Sequence, residues 1–228
     1  WGATARWADG QTLEVLPGAY TPSANVSIER DWSAAAFWYE MVALSGSSEA
    51  VCTSAVVDAE GLTADGSLQG DSRAASFFRQ LGVVTTEEAS GLKLTRGGLP
   101  PARCTADFGA TPDMAQAAVV TCCLLGVPFR ISGLESLRIK ETDRIAALLT
   151  ELRKLGFILK ADGDKALEWD GRRCRGECAP VIETYNDHRM AMCFSLVSLG
   201  GVSIKILDPA CVNKTYPSFF EDFKRFAK

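Results

Sequence analysis

The sequence repeats itself three times, and this repeat constrains the fold more than any other feature. At offsets of roughly 70 to 80 residues, three apolar helical segments share their start and stop signals, at 31–46, 113–126 and 187–200. Each begins with Asp, a residue that caps helix N-termini, and ends at Gly, which adopts the left-handed conformation that closes many helices. Because Ala, Val, Met, Cys, Leu and Phe dominate nearly every face, we expect these helices to be buried.

A second helix follows the first in each unit and has one charged side. These amphipathic segments cover 69–82, 140–156 and 213–227, so we expect them nearer the surface. Short β-rich segments separate the helices, at 25–29, 50–57, 83–86, 92–95, 104–108, 128–132, 157–161, 166–169, 181–185 and 202–207. The pattern predicts an α/β (α+β) fold of three β-α-β-α-β-β units, at about 24–99, 100–178 and 179–228, with the third truncated. Sheets would cover the buried helices, as in an inside-out α/β barrel.

Composition and charge argue against several classes of protein. With 228 residues, 47% of them hydrophobic, the chain can bury a substantial core, and its net charge of −4 argues against a nucleic-acid partner. The basic run at 172–175 is typical of a solvated turn. The longest apolar segments, 114–127 and 190–199, are too short to cross a membrane, and no signal segment is visible.

The eight cysteines do not suggest a disulfide framework. Cys122 and Cys123 are adjacent in a helical segment and the others are scattered, so reduced thiols in a cytoplasmic protein are the simpler interpretation. Cys174 and Cys178 have no second cysteine pair at zinc-finger spacing, and His188 is the only histidine. We therefore expect no metal site.

Charged residues crowd the start of the helix predicted over 145–155. Five of the seven residues from 138 to 144 are charged, and cations at a helix N-terminus oppose its dipole unless an anion lies among them. If the three units bring equivalent helix starts to one rim, four cations meet there: Lys140, Arg144, Arg189 and Lys214. In an empty site these cations would repel one another, so the pattern favours a ligand with two or more anionic groups.

Two carboxylates lie among these cations in the sequence pattern. Asp113 and Glu141 are therefore candidates for the general base and the general acid, with pKa values set by the surrounding charge. The chain has no glycine-rich phosphate loop of the Walker or dinucleotide type. These residues favour a transferase that acts on polyanionic small molecules without a nucleotide.

Three separated motifs resemble one enzyme family. Residues 138–144 read Arg-Ile-Lys-Glu-Thr-Asp-Arg, residues 185–192 read Tyr-Asn-Asp-His-Arg-Met-Ala-Met, and residues 208–217 read Asp-Pro-Ala-Cys-Val-Asn-Lys-Thr-Tyr-Pro. In this order they resemble the C-terminal half of the 5-enolpyruvylshikimate-3-phosphate (EPSP) synthase family. The resemblance implies two domains of similar fold, each of three such units, with helix N-termini pointing into the cleft between them. Residues 1–23 would be the trailing segment of the N-terminal domain, and residues 24–228 the C-terminal enolpyruvyl transferase domain.

The resemblance also implies a reaction in the shikimate pathway of aromatic amino-acid biosynthesis. The enolpyruvyl (carboxyvinyl) group of phosphoenolpyruvate would pass to the 5-hydroxyl of shikimate 3-phosphate, with release of phosphate and without a metal or organic cofactor. Asp113 would accept the proton of the attacking hydroxyl, and Glu141 would protonate and later deprotonate the methylene carbon.

Substrate binding would fall to six residues of this chain. Arg144 and Arg189 would hold the carboxylate of phosphoenolpyruvate, and Lys214 would meet its phosphate. Lys140 would contact the shikimate moiety, and Ser136 stands where many family members use Asn for shikimate 3-phosphate. His188 would belong to the same group, since a lone histidine more often orients or caps than carries protons.

Two alternatives stay open from the sequence. One is the related transferase that acts on UDP-N-acetylglucosamine. Glyphosate is not expected to compete with phosphoenolpyruvate in that enzyme, so its effect would distinguish the two. The other is a non-catalytic module that binds anions. Because the N-terminal domain would supply further groups to both substrates, we expect this chain alone to be inactive.

Overall fold

The structure is a computed structural model that describes residues 2–21, 29–45, 49–52, 66–88 and 91–227. Helices and strands are interspersed along these residues. The helices are α1 (Trp32–Leu44), α2 (Ala74–Gln80), α3 (Ala115–Leu124), α4 (Arg144–Lys154), α5 (His188–Ser195) and α6 (Phe219–Phe226). The strands are β1 (Ala5–Trp7), β2 (Leu13–Val15), β3 (Glu49–Cys52), β4 (Val83–Glu88), β5 (Gly91–Arg96), β6 (Cys104–Asp107), β7 (Phe129–Ser132), β8 (Lys160–Asp162), β9 (Ala166–Trp169), β10 (Val181–Ile182) and β11 (Lys205–Ile206). Short 3-10 segments are Gly70–Arg73, Pro112–Met114, Glu135–Ile139, Leu196–Gly200 and Pro209–Lys214.

The predicted order of elements recurs along the chain. The middle part runs β6-α3-β7-α4-β8-β9, which is the complete unit. The part before it runs α1-β3-α2-β4-β5, and the strand predicted at 25–29 lies almost wholly outside the described residues. The last part runs β10-α5-β11-α6 and is short of a closing hairpin. The α/β prediction with a truncated third unit is therefore confirmed, while closure into a barrel stays a prediction.

The sheets repeat the same pairing. In the middle part the strand order is β6-β7-β9-β8, with β6 and β7 parallel and the other neighbours antiparallel. The antiparallel sheet β3-β5-β4 matches the β7-β9-β8 portion, and the parallel pair β10-β11 matches β6-β7. A parallel pair joined by a buried helix and followed by an antiparallel hairpin is thus the recurring unit.

The core lies among the first helices of the units. Helices α1, α3 and α5 contact one another, and each contacts strands of its own unit. Nearly all of their residues are buried, including Trp32, Tyr39 and Phe194. Helices that are apolar on nearly every face have no side suited to solvent, so the burial prediction is confirmed. Among the described residues, no helix combines the length and apolar character needed to cross a membrane.

The helix starts agree with the Asp-cap prediction at two positions out of three. Asp31 accepts a hydrogen bond from the backbone N–H of Ser33 at 2.8 Å, and Asp187 accepts one from that of Arg189 at 2.8 Å. The prediction is wrong for Asp113, which lies inside the 3-10 segment Pro112–Met114 and caps nothing. A cap needs a residue outside the helical turn, and the proline begins that turn one residue too early. The carboxylate of Asp113 is therefore free to contact other side chains.

The helix ends differ from the prediction at the third unit. Gly126 has φ +71° and ends the second apolar helix as expected, whereas the predicted stop Gly46 lies outside the described residues. In the third unit α5 tightens into a 3-10 segment after Ser195, and the left-handed residue is Gly201 rather than Gly200.

Lys214 does not begin a helix, contrary to the prediction. It ends the 3-10 segment Pro209–Lys214, and α6 begins only at Phe219. Pro217 accounts for the delay, because a residue that precedes proline is disfavoured in the helical conformation.

Helix α1 carries an unpaired carboxyl group in the core. Glu40 is 0% exposed, and neither of its oxygens has a hydrogen-bond partner among the described residues. Burial raises the pKa of Glu40 well above its ordinary value. The side chain is therefore protonated over a pH range in which the unfolded chain would ionise it.

We expect Glu40→Gln to be more stable than the original chain, by a margin that grows with pH. The folded state holds a proton on Glu40, so the stability present below the ordinary pKa is lost as the pH rises through the folded-state pKa. Gln keeps the shape of the side chain and does not ionise. Thermal denaturation of both proteins at about pH 5 and about pH 8 measures the margin, and an equal margin at both would contradict the prediction.

Candidate active site

The predicted rim forms where the helix starts of the units meet. Arg144 is the first residue of α4, and Asp143 caps that helix by accepting from the N–H of Ala146 at 3.0 Å. Asp187 caps α5, and Asp113 occupies the turn before α3. Residues far apart in the chain therefore lie in hydrogen-bond contact because each unit delivers its helix start to the same place.

One guanidinium joins three of these carboxylates. Arg144 donates from Nε to Asp187 Oδ2 at 2.7 Å, from Nη1 to Asp113 Oδ1 at 2.6 Å and from Nη2 to Glu141 Oε2 at 2.8 Å. The side chain of Arg144 is only 1% exposed, and that of Asp187 is 0% exposed. The shortest contacts of the three nitrogens go to three different carboxylates, and Nη2 also lies 3.4 Å from Asp187 Oδ1, which fixes the plane of the guanidinium.

The second arginine of the rim is held by the first and second units. Arg189 donates from Nη1 to the backbone carbonyl of Asp113 at 2.8 Å, and its Nη2 lies 3.3 Å from Asp71 Oδ2. Asp71 also accepts from the hydroxyl of Ser33 at 2.7 Å. The sequence prediction missed Asp71, although its position at the start of a second helix, equivalent to 140–143, was the signal that could have found it.

Two lysines complete the cluster at its exposed side. Lys214 donates to Glu141 Oε1 at 2.6 Å and is 58% exposed. Lys140 lies 3.1 Å from Asp113 Oδ1. Both amines are therefore within reach of solvent and of any ligand at the rim, unlike the buried guanidinium of Arg144.

Both candidate acid–base residues are ionised in this arrangement. Burial opposes the charge of Asp113, but the nearby Arg189, Lys140 and Arg144 outweigh it and lower the pKa of this carboxyl. Burial opposes the charge of Glu141 as well, yet the hydrogen bond from Lys214 and the charge of Arg144 lower its pKa to about 2.

The expectation that the cations of an empty site repel one another is wrong. The four predicted cations are interleaved with the carboxylates of Asp71, Asp113, Glu141 and Asp187. Four positive and four negative groups give a formal sum of zero for these residues. An anionic ligand would therefore compete with these carboxylates for the cations that it binds.

The two remaining predicted residues lie at the margin. His188 is buried, and its Nδ1 lies 3.8 Å from Glu141 Oε1 without a hydrogen-bond partner among the described residues. Burial is the main reason why the pKa of His188 is lowered, so the ring is neutral at pH 7. Ser136 lies in the 3-10 segment Glu135–Ile139 and takes part in none of the ion pairs described above.

Comparison with known proteins assigns the family. A family model described as EPSP synthase (3-phosphoshikimate 1-carboxyvinyltransferase) matches residues 2–223. A 3-phosphoshikimate 1-carboxyvinyltransferase of Bacteroides fragilis is 44% identical over 224 residues, which cover 98% of this chain and 52% of the relative. One of Cellvibrio japonicus is 36% identical over 219 residues, covering 95% of this chain and 49% of the relative.

Solved structures agree on the fold. EPSP synthase from Acinetobacter baumannii superposes with a TM-score of 0.62 at 21% identity, over 98% of this chain and 52% of that one. The enolpyruvyl transferase NikO from Streptomyces tendae superposes with a TM-score of 0.55 at 15% identity, over 99% of this chain and 50% of that one. The chain spans about half the length of the curated relatives it matches. Because the family model matches nearly the whole length of this chain, the chain belongs to the EPSP synthase family.

Proposed function

We propose that this chain supplies the C-terminal half of a 3-phosphoshikimate 1-carboxyvinyltransferase. The enzyme would move the enolpyruvyl group of phosphoenolpyruvate to the 5-hydroxyl of shikimate 3-phosphate and release phosphate. The observation that carries the proposal is the rim itself, where two arginines and two lysines alternate with carboxylates at helix starts. Such a rim fits a pair of small substrates that bring phosphates and a carboxylate.

The binding roles are those that the family resemblance implies, and the geometry of each cation supports them. Arg144 already donates to carboxylates, and Arg189 donates to Asp71 Oδ2 at 3.3 Å, so a substrate carboxylate that competes with them is the same kind of partner. Lys214 is an exposed point charge suited to the phosphate of phosphoenolpyruvate. Lys140 and Ser136 are assigned to shikimate 3-phosphate, and His188, beside Glu141, is assigned to the bound substrates as a neutral ring.

The proton steps depend on where Lys214 goes. A phosphate that draws Lys214 away from Glu141 removes the hydrogen bond that holds the pKa of Glu141 down, so this carboxyl can take up a proton. Glu141 would then give that proton to the methylene carbon while the hydroxyl oxygen of shikimate 3-phosphate bonds to the phosphate-bearing carbon. Asp113, kept ionised by three cations, would accept the hydroxyl proton. Removal of a methyl proton by Glu141 and loss of phosphate would complete the exchange.

The N-terminal half of the same enzyme is the proposed partner. Residues 2–21 contain the antiparallel hairpin β1-β2, whose strands pair with no other strand among the described residues. Trp7, Leu13 and Val15 on this hairpin are exposed. We assign residues 1–23 to the trailing edge of the other half, and 24–228 to a domain with units at about 24–99, 100–178 and 179–228. Seven cysteines are free thiols, which supports a cytoplasmic location; they are Cys104, Cys122, Cys123, Cys174, Cys178, Cys193 and Cys211.

We expect the isolated chain to release no phosphate from phosphoenolpyruvate and shikimate 3-phosphate. We expect the other half of the enzyme to supply groups that close over both substrates and exclude water. Addition of the separately produced N-terminal half of a family member should restore phosphate release, which a colorimetric assay measures. Release by the chain alone, above the rate without protein, would overturn this prediction, and no release with the other half present would count against the proposed function.

A further inference from the structure

The turn that delivers three site residues has a strained backbone. Tyr185 and Asn186 both have φ of +55°, a left-handed conformation that residues with side chains rarely adopt twice in succession. Asp187, His188 and Arg189 follow at once. Strained turns persist only where the surroundings hold them, so some contact must fix this one.

A buried carboxylate on α4 makes that contact. Glu151 is 0% exposed and accepts hydrogen bonds from the hydroxyl of Tyr185 at 2.7 Å, from Lys154 Nζ at 2.6 Å and from the backbone N–H of Glu183 at 3.2 Å. Lys154 also donates to the carbonyl of Val181 at 2.9 Å. Three points of segment 181–185 are thus tied to one helix.

The same helix carries the rim arginine. Glu151 follows Arg144 by seven residues, which is two helical turns and about 10 Å along the axis. Arg144 donates to Asp187, and Glu151 accepts from Tyr185, so two residues of α4 bond to the strained turn, one on each side of Asn186. Burial and the neighbouring carboxylate of Glu151 raise the pKa of Tyr185 above its ordinary value, so its hydroxyl stays a donor at neutral pH.

We propose that Glu151 is a positioning residue, which holds the 183–186 turn against α4 and thereby sets the places of Asp187, His188 and Arg189 at the rim. An apolar side chain would fill the same space at lower cost if packing alone were needed. Three donors converge here instead, and only a carboxylate has oxygens enough for them. The consequence for substrate binding rests on the proposed function, whereas the consequence for the turn does not.

Hydrogen exchange in the isolated chain tests the turn. Glu151→Gln keeps the shape but turns one acceptor into a donor, and Tyr185→Phe removes only the hydroxyl. Both should speed exchange of the N–H groups of Asp187 and Arg189, which bond Thr184 O and Asp187 Oδ1, by about tenfold, while those of α1 keep their rates.

Asp222→Asn is the matched control. Asp222 is also a buried carboxylate that accepts from a tyrosine hydroxyl, at 3.0 Å from Tyr216, and pairs with a cation three residues later, but it lies on α6. It should lower the melting temperature without speeding exchange at 187 and 189. Unchanged exchange in both test variants, or an equal acceleration in Asp222→Asn, would overturn the proposal.

Kinetics separate positioning from simple destabilisation. In the enzyme assembled with the N-terminal half, Glu151→Gln should raise KM for phosphoenolpyruvate about tenfold, because Arg189 is displaced. A merely structural role would lower the amount of active enzyme, and so the apparent kcat, at unchanged KM. If the assembled enzyme shows no activity with either Glu or Gln at 151, the proposed function fails and the exchange result alone decides the role of Glu151.

Discussion

Arg144→Met is expected to cost the isolated chain about 3–5 kcal/mol of its free energy of unfolding, because three carboxylates lose the cation that they share. Asp187 is fully buried and would lose its counterion. The whole free energy of unfolding of a small domain is roughly 5–15 kcal/mol, so a loss of this size would leave the fold only marginally stable. Arg144→Lys should recover only part of it, since one amine cannot reach three carboxylates as the three guanidinium nitrogens do. Urea denaturation followed by circular dichroism at neutral pH measures both variants.

Acid should partly rescue Arg144→Met. Without the guanidinium, Asp113 and Glu141 lose a charge that lowers their pKa values, so the folded state holds their protons to higher pH and the loss of stability shrinks as the pH falls. Arg172→Met is the matched control, because it breaks an ion pair of 2.9 Å whose side chains are both about half exposed. The control should change stability by less than about 1 kcal/mol. Equal effects of the two substitutions would mean that the Arg144 cluster adds nothing to the fold.

The helices that the sequence predicts well are those with an unambiguous pattern. Helices α1, α3 and α5 are apolar on nearly every face, and no surface position suits such a helix, so their burial follows from the residues alone. The details at their ends do not. A single Pro112 moves the start of α3 past Asp113, and one extra turn of 3-10 helix moves the stop from Gly200 to Gly201. These shifts involve energies too small to be ranked from local sequence.

The cations of the candidate site could be predicted from the sequence, but the carboxylates that pair with them could not. Cations at a helix start oppose the helix dipole, so those in 138–144 are recognisable from the local sequence alone. The partners of those cations come from elsewhere in the chain. Asp71 meets Arg189 across 118 residues, and Asp187 meets Arg144 across 43. Contacts of this kind depend on how three units pack together, and a lone Asp within Gly70–Arg73 gives no sign of its partner.

Glu141→Gln is expected to lower turnover of the assembled enzyme by roughly 10²–10⁴-fold while both substrates still bind. Gln keeps the shape of the side chain and still accepts a hydrogen bond from Arg144 or Lys214, so the rim should stay in place. It has no proton to give to the methylene carbon. Phosphate release measures turnover, and calorimetric titration with each substrate measures binding.

The acid stability of the isolated chain gives an independent check on the same carboxyl. With its pKa lowered to about 2, Glu141 stabilises the fold above its ordinary pKa, and this contribution is lost as the pH falls towards 2. Glu141→Gln should remove that part of the acid dependence. Glu168→Gln, which alters a carboxylate paired with Arg130 on β7 and outside the rim, should leave turnover unchanged. Unchanged turnover in Glu141→Gln itself would favour a non-catalytic anion-binding module, because a general acid cannot be replaced by an amide without loss.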